Sequence, residues 1–247
     1  MAEPLEKFTI DEADEYLSAD KPSHGRILGV VLHHTWRPDQ SDYKGLSTLQ
    51  GIRRYHKNVR HWREIGANYY VAPTGEIWVG RPLNYSNYAH ALVSEPWSHV
   101  SSRARRLAYP DRRWFNRYAL GIEMIADFDA ESVEPTPTVL ATAIQFIIKI
   151  CQKWEFDEDS VIGHREVANK SCPGKKLSME WVRDEVALGL KGQVRRRLKI
   201  VMLPGSNLIG TAELPFRPDR RYEVYPHIND FMANGDDPKI FIREIPE

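Results

Sequence analysis

The first sustained apolar run in the chain spans residues 27–32, in RILGVVLHHT, and is nearly continuous and rich in valine. A half-exposed strand would alternate, so this run predicts a strand buried on both faces. It ends in two histidines, His33 and His34. GLSTLQGIRRYHKNVRHW follows, with Leu49, Ile52, Tyr55, His56 and Val59 at helical spacing and Ser47 as candidate N-cap. ANYYVAPTGEIWVGRP predicts a hairpin, residues 69–72 and 76–79 flanking Pro73-Thr74-Gly75. ALGIEMIADF predicts another strand, with Ile122, Met124 and Phe128 opposite Glu123 and Ile125. The clearest helix follows Thr136, a candidate cap, and Pro137, which suits a first helical turn. Its apolar stripe is Val139, Leu140, Ala143, Ile144, Ile147, Ile150, Cys151 and Trp154. SVIGH predicts a short strand leading to His164, and a last helix begins after Ser178 with Met179, Trp181, Val182 and Val186 on its buried side.

Strands alternating with helices predict an α/β fold, a mixed central β-sheet flanked by helices. Between His90 and Asn116 the segment SSRARRLAYPDRRWFNR is rich in arginine and aromatics, shows no strong periodicity, and predicts a long loop. Beyond about residue 190 the character changes to short β-rich runs broken by Pro-Gly and Arg-Pro turns. The expected organisation is an N-terminal extension over 1–24, the α/β domain over 25–187, and a small β-rich C-terminal extension over 188–247.

Composition narrows the functional classes. The 247 residues carry 34 Lys+Arg and 34 Asp+Glu, so bulk charge is not available to hold nucleic acid. The start, MAEPLEKFTIDEADEYLSAD, is acidic and lacks the apolar core of a secretory signal. No window approaches the roughly 20 apolar residues of a spanning helix. The expectation is a protein that is cytoplasmic as synthesised and does not insert into membranes. Two cysteines cannot form a disulfide framework. Cys151 falls in an apolar helical pattern and reads as a buried thiol, which leaves Cys172 to explain.

Cys172 stands in VIGHREVANKSCPGKK, a polar, turn-prone stretch that also holds His164 and Lys170. A thiol near an imidazole is compatible with a metal site, with a nucleophilic dyad, or with a purely structural pairing. A catalytic zinc site needs three protein ligands and an open position. His164 and Cys172 offer two from one loop, and the strand end at His33-His34 is the best source of the third. Adjacent strand residues point to opposite faces, so only one of that pair reaches the metal.

The segments VVLHHT, GANYYVAPTGEIWVGRP, NRYALGIEMI and GHREVANKSCPG occur in an order and spacing that resembles the type-2 N-acetylmuramoyl-L-alanine amidases and the related peptidoglycan recognition proteins, phage lytic amidases among them. The resemblance covers about residues 25–187. It implies that His33, His164 and Cys172 hold a zinc ion (Zn2+), leaving His34 to packing or a supporting contact. It implies hydrolysis of the amide between N-acetylmuramic acid and the L-alanine of the stem peptide, with peptidoglycan or a muropeptide as partner. Glu123 interrupts an apolar strand where catalytic members carry a glutamate, and is the candidate general base. Lys170 is the candidate for stabilising the oxyanion. His90 and Asn116 match positions beside the substrate cleft. Many relatives have a tyrosine where this chain has Ala67, a departure that shifts the catalytic burden onto Glu123. The arginine-aromatic loop, with Arg103, Arg105, Arg106, Arg112, Arg113, Tyr109 and Trp114, is a candidate cleft wall. The alternative to catalysis is a recognition module that binds muropeptide without cutting it. A cysteine hydrolase using Cys172 and His164 leaves His33 without a purpose and ranks last.

Overall fold

All six residues of strand β2 (Gly29–His34) are buried, as a continuous apolar run requires. Around it the computed structural model builds a six-stranded sheet from β1 (Lys7–Phe8), β3 (Tyr69–Val71), β4 (Ile77–Val79), β5 (Ala119–Met124) and β6 (Val161–Gly163). The order is β1-β4-β3-β5-β2-β6. β3, β5, β2 and β6 run parallel, while β4 pairs antiparallel with β3 and with β1. The structure describes residues 5–19, 22, 27–83, 97–108, 113–130 and 137–192, with the backbone of four further strands beyond them.

Helices cover both faces. On one lie α5 (Pro137–Trp154) and α6 (Met179–Leu190), whose Val139, Ala143, Ile147, Val182 and Val186 pack with Leu32, Tyr69, Ile122 and Met124. Both match the periodicity of the sequence. The other face is shared. Helix α2 (Leu46–Asn58) places Leu49 and Ile52 against Ala67, Tyr70 and Ile125. Helices α3 (Ser102–Ala108) and α4 (Arg113–Tyr118) place Ala104 and Phe115 against Val31 and Ile162.

Three local expectations are revised. The arginine-aromatic segment is not one long loop, since α3 and α4 lie within it. They have only seven and six residues, too few for a helical period to show in a window of 11 or more. The cap of α2 is Gly45 and not Ser47, which is already inside the helix and bonds back to the Lys44 carbonyl at 2.9 Å. Tyr55 and Val59 are exposed rather than part of the buried stripe. Thr136 lies outside the described residues.

The N-terminal stretch contributes to this sheet. β1 extends it beyond β4, and Phe8, with Ala13 and Leu17 of α1 (Ala13–Ala19), is buried in the main core. The chain divides into two compact units, residues 1–190 and 191–247. In the second, β7 (Val194–Val201) pairs antiparallel with β8 (Ile209–Phe216), and β9 (Arg221–Pro226) with β10 (Ile240–Ile245). Among the described residues no helix is long and apolar enough to cross a membrane.

Candidate metal centre

The two histidines at the end of β2 part company, and the neighbouring strand shows why. In the parallel register Leu32 stands opposite Ile122, His33 opposite Glu123 and His34 opposite Met124. Leu32, Ile122 and Met124 belong to the α5/α6 core. Alternation therefore sends His33 and Glu123 to the opposite face and His34 toward that core. The His34 Nδ1 accepts the Phe128 N–H at 3.1 Å, which leaves Nε2 as the donor side, 3.8 Å from an Asp129 oxygen. Burial pulls the His34 pKa down, against the opposite pull of the Asp129 and Asp127 carboxylates.

β6 pairs with β2 through Leu32 and Gly163, so His164, the next residue, starts a short 3-10 turn beside His33. The two imidazole centroids are 4.4 Å apart. Glu166 fixes this turn by accepting the Gly163 N–H at 2.8 Å and the Arg183 guanidinium at 3.1 Å.

Cys172 returns to the same place along a loop. Its sulfur lies 3.6 Å from the His33 Nδ1 and accepts the His34 N–H at 3.4 Å. Arg165 secures the loop at three points. Its own N–H donates to the Cys172 carbonyl at 2.6 Å, and its guanidinium donates to the carbonyls of Gly174 at 2.5 Å and Leu177 at 2.6 Å. Gly174 has a φ of +111°, and a Cβ there would meet Phe128 at 2.3 Å. Only glycine lets the loop approach so closely. On the other side Asp129 accepts from the Ser171 hydroxyl at 2.6 Å and the Lys175 N–H at 2.7 Å.

The candidate ligand atoms of His33, His164 and Cys172 all lie within 4.8 Å of one another. One sulfur and two imidazole nitrogens converging from three segments is a donor set that suits zinc. Burial pushes the Cys172 thiol well above its ordinary pKa. A nucleophilic cysteine needs the reverse shift, so the cysteine-hydrolase reading loses its support.

The three groups open onto a cavity of about 410 Å³, which Glu123 and Lys170 also line. Burial raises the Glu123 pKa to about 7, against the lowering effect of a hydrogen bond from Tyr70. A carboxyl with that affinity for protons can take or give one near neutrality.

A family model described as N-acetylmuramoyl-L-alanine amidase matches residues 23–175, more than half of the chain, a span that includes His33, Glu123, His164, Lys170 and Cys172. The chain belongs to the N-acetylmuramoyl-L-alanine amidase family. Among relatives of this amidase-family chain, peptidoglycan-recognition protein SC1a of Drosophila melanogaster is 22% identical over 150 residues, covering 60% of this chain and 68% of that protein. An N-acetylmuramoyl-L-alanine amidase of Sus scrofa is 22% identical over 205 residues, covering 77% of this chain but only 30% of its own length. Among solved structures, the N-acetylmuramoyl-L-alanine amidase LysC from Clostridium intestinale aligns with a TM-score of 0.45 at 22% identity, covering 75% of this chain and 91% of that one.

Not every residue singled out in the sequence is among those that line the cavity. Asn116 is buried on α4 and is not among the lining residues. Arg103 pairs with Asp159, Arg105 donates to the Val100 carbonyl at 3.0 Å, and Trp114 packs on the α3/α4 cluster. Among the described residues, these side chains make contacts within the fold and are not among those that line the cavity. His90, Tyr109 and Arg112 lie outside the described residues. So do the side chains of Arg113 and Ala108.

The cavity also takes residues that no sequence motif marks. Trp36 lines it, 60% exposed and with a φ of 59°. His56 lines it too, accepting the Gly66 N–H at 3.1 Å and stacking on Trp62 at 4.6 Å. In the sequence His56 is marked only by its place in a helical stripe. Trp62 and Asp129 sit in aperiodic stretches whose placement no local pattern reveals.

Proposed function

We propose that this amidase-family chain is a zinc-dependent hydrolase that cleaves the amide between N-acetylmuramic acid and L-alanine in peptidoglycan. The observation that carries the reading is the convergence of His33, His164 and Cys172 beside Glu123 in one open cavity. A zinc ion bound there would supply Lewis acidity to a water and to the scissile carbonyl.

The chain's own residues supply the rest. Glu123, with its pKa near 7, accepts the proton of the attacking water and returns it to the departing amine. Lys170, at the cavity wall, offers positive charge to the oxygen on which negative charge develops. His34 and Asp129 bear on the two backbone segments between which Cys172 is seated. Wall breakdown of the kind phage lysins perform is part of this proposal.

A second reading, muropeptide binding without cleavage, is favoured by one feature. Ala67 offers no hydroxyl where many relatives have a tyrosine, and its side chain is fully buried. Purified sacculi separate the two. New L-alanine amino termini without new reducing sugars mean amidase activity. Retained affinity without release means a binder, and neither result would remove both readings.

A further inference from the structure

Tyr70 is not among the residues that line the cavity, and its side chain is fully buried. A phenol at that depth needs partners, because water is not there to supply them. Sheet register decides which partners it finds. β3 and β5 set Tyr70 opposite Glu123, and β5 and β2 set Glu123 opposite His33. Three residues in one row across neighbouring strands project from the same face. The Tyr70 hydroxyl donates to the Glu123 carboxyl. The same oxygen accepts the Ala67 N–H at 3.1 Å.

The phenol itself is firmly seated. It packs in the cluster with Leu49, Ile52, Ala67 and Trp78. A Cβ added at Gly80 would fall 2.8 Å from the ring and 2.5 Å from the Ala67 carbonyl oxygen. Gly80 therefore leaves room for the ring, and the Ala67 amide anchors the hydroxyl.

We propose that Tyr70 is a positioning residue that holds the Glu123 carboxyl in its working orientation. The terminal torsion of a glutamate is broad and weakly restrained. A donor fixed on β3 restrains it and leaves the carboxyl's remaining acceptor capacity to the cavity. The proposal rests on the reading of Glu123 as general base.

Tyr70→Phe keeps the ring and removes the hydroxyl. In the zinc-loaded protein it is expected to lower kcat by about tenfold or more, as misplacement of a reacting group does, with KM and zinc content unchanged. The deciding measurement is the same change made on Glu123→Gln, where it is expected to cost nothing further. A purely structural role would lower the residual rate by the same factor in both backgrounds, and that result would overturn the proposal. So would a wild-type kcat in Tyr70→Phe while Glu123→Gln is inactive. A full rate in Glu123→Gln would instead remove the base assignment itself. Should Tyr70→Phe fail to fold, 3-fluorotyrosine at position 70 replaces it. Its fluorine resonance is expected to move on Glu123→Gln, and an unmoved resonance would also overturn the proposal.

Discussion

Glu123 and His33 face one another in register across the parallel strands β5 and β2. The proposed base and the first proposed ligand are thus set side by side by sheet hydrogen bonds, on two adjacent interior strands. Glu123→Gln is nearly isosteric and removes only the proton acceptor. It is expected to keep zinc at the wild-type level while lowering turnover by about 10²–10⁴-fold. Metal analysis and release of L-alanine amino termini check this; a full rate in the variant would end the assignment.

Cys172 is expected to couple zinc uptake to pH. Burial raises its pKa in the metal-free protein, so the thiol is protonated at neutrality and must lose its proton to bind a cation. Zinc affinity is therefore expected to fall as pH falls, with proton release on binding. Calorimetry in buffers of different ionisation enthalpy measures that release. Cys172→Ala is expected to lose both the release and most of the zinc.

Arg165 touches none of the proposed ligand atoms but bonds the loop at Cys172, Gly174 and Leu177. Arg165→Ala is expected to weaken zinc binding by roughly 10–100-fold, the usual cost of losing a supporting contact. Arg165→Lys is expected to recover little, since an ammonium cannot reproduce the planar fork. Competition with a zinc-binding dye reads the difference.

Glu166 and Arg183 form a buried ion pair at 3.1 Å, their side chains 14% and 8% exposed. Removing Glu166 leaves Arg183 with the exposed Glu180 carboxylate and the Val161 carbonyl, each at 3.0 Å, so the cost is that of one charged hydrogen bond, about 1–3 kcal/mol. Glu166→Ala is expected to lower stability to denaturant by that order. It also frees the turn that presents His164, so zinc affinity should fall with it.

The metal-free protein is expected to show two opposed pH effects on stability. The Glu123 pKa rises from 4.5 to about 7 on folding, so the folded state favours its proton. Its contribution is full below pH 4.5 and is lost as pH rises toward 7. The His56 pKa falls from 6.5 to about 4 through burial, with Arg81 and Arg60 adding to the shift. That contribution is present above pH 6.5 and is lost as pH falls toward 4. Thermal unfolding of chelated protein against pH, compared with Glu123→Gln and His56→Asn, separates them. Each variant should flatten one limb only.

Much of the fold was legible in the chain because its long elements carry their own periodicity. The apolar run of β2 and the stripe of α5 need no partner to be recognised. The ordered segments around His33, Glu123, His164 and Cys172 likewise carry the family pattern without reference to geometry. Helices α3 and α4 escaped because each is shorter than two turns and is held by the packing of Ala104 and Phe115. Charge and aromatic content do not encode direction, so the partners of Arg103 and Arg105, Asp159 and the Val100 carbonyl, were not legible in the chain.

What the linear chain established by itself was the set of elements and the residue types able to bind a metal. Alternation also required His33 and His34 to diverge. Only the tertiary structure decided which of them meets His164 and Cys172, because that depends on the face of β2 that the core helices cover. It also decided that Tyr70 meets Glu123, since parallel register joins strands distant in sequence and no local pattern carries that information.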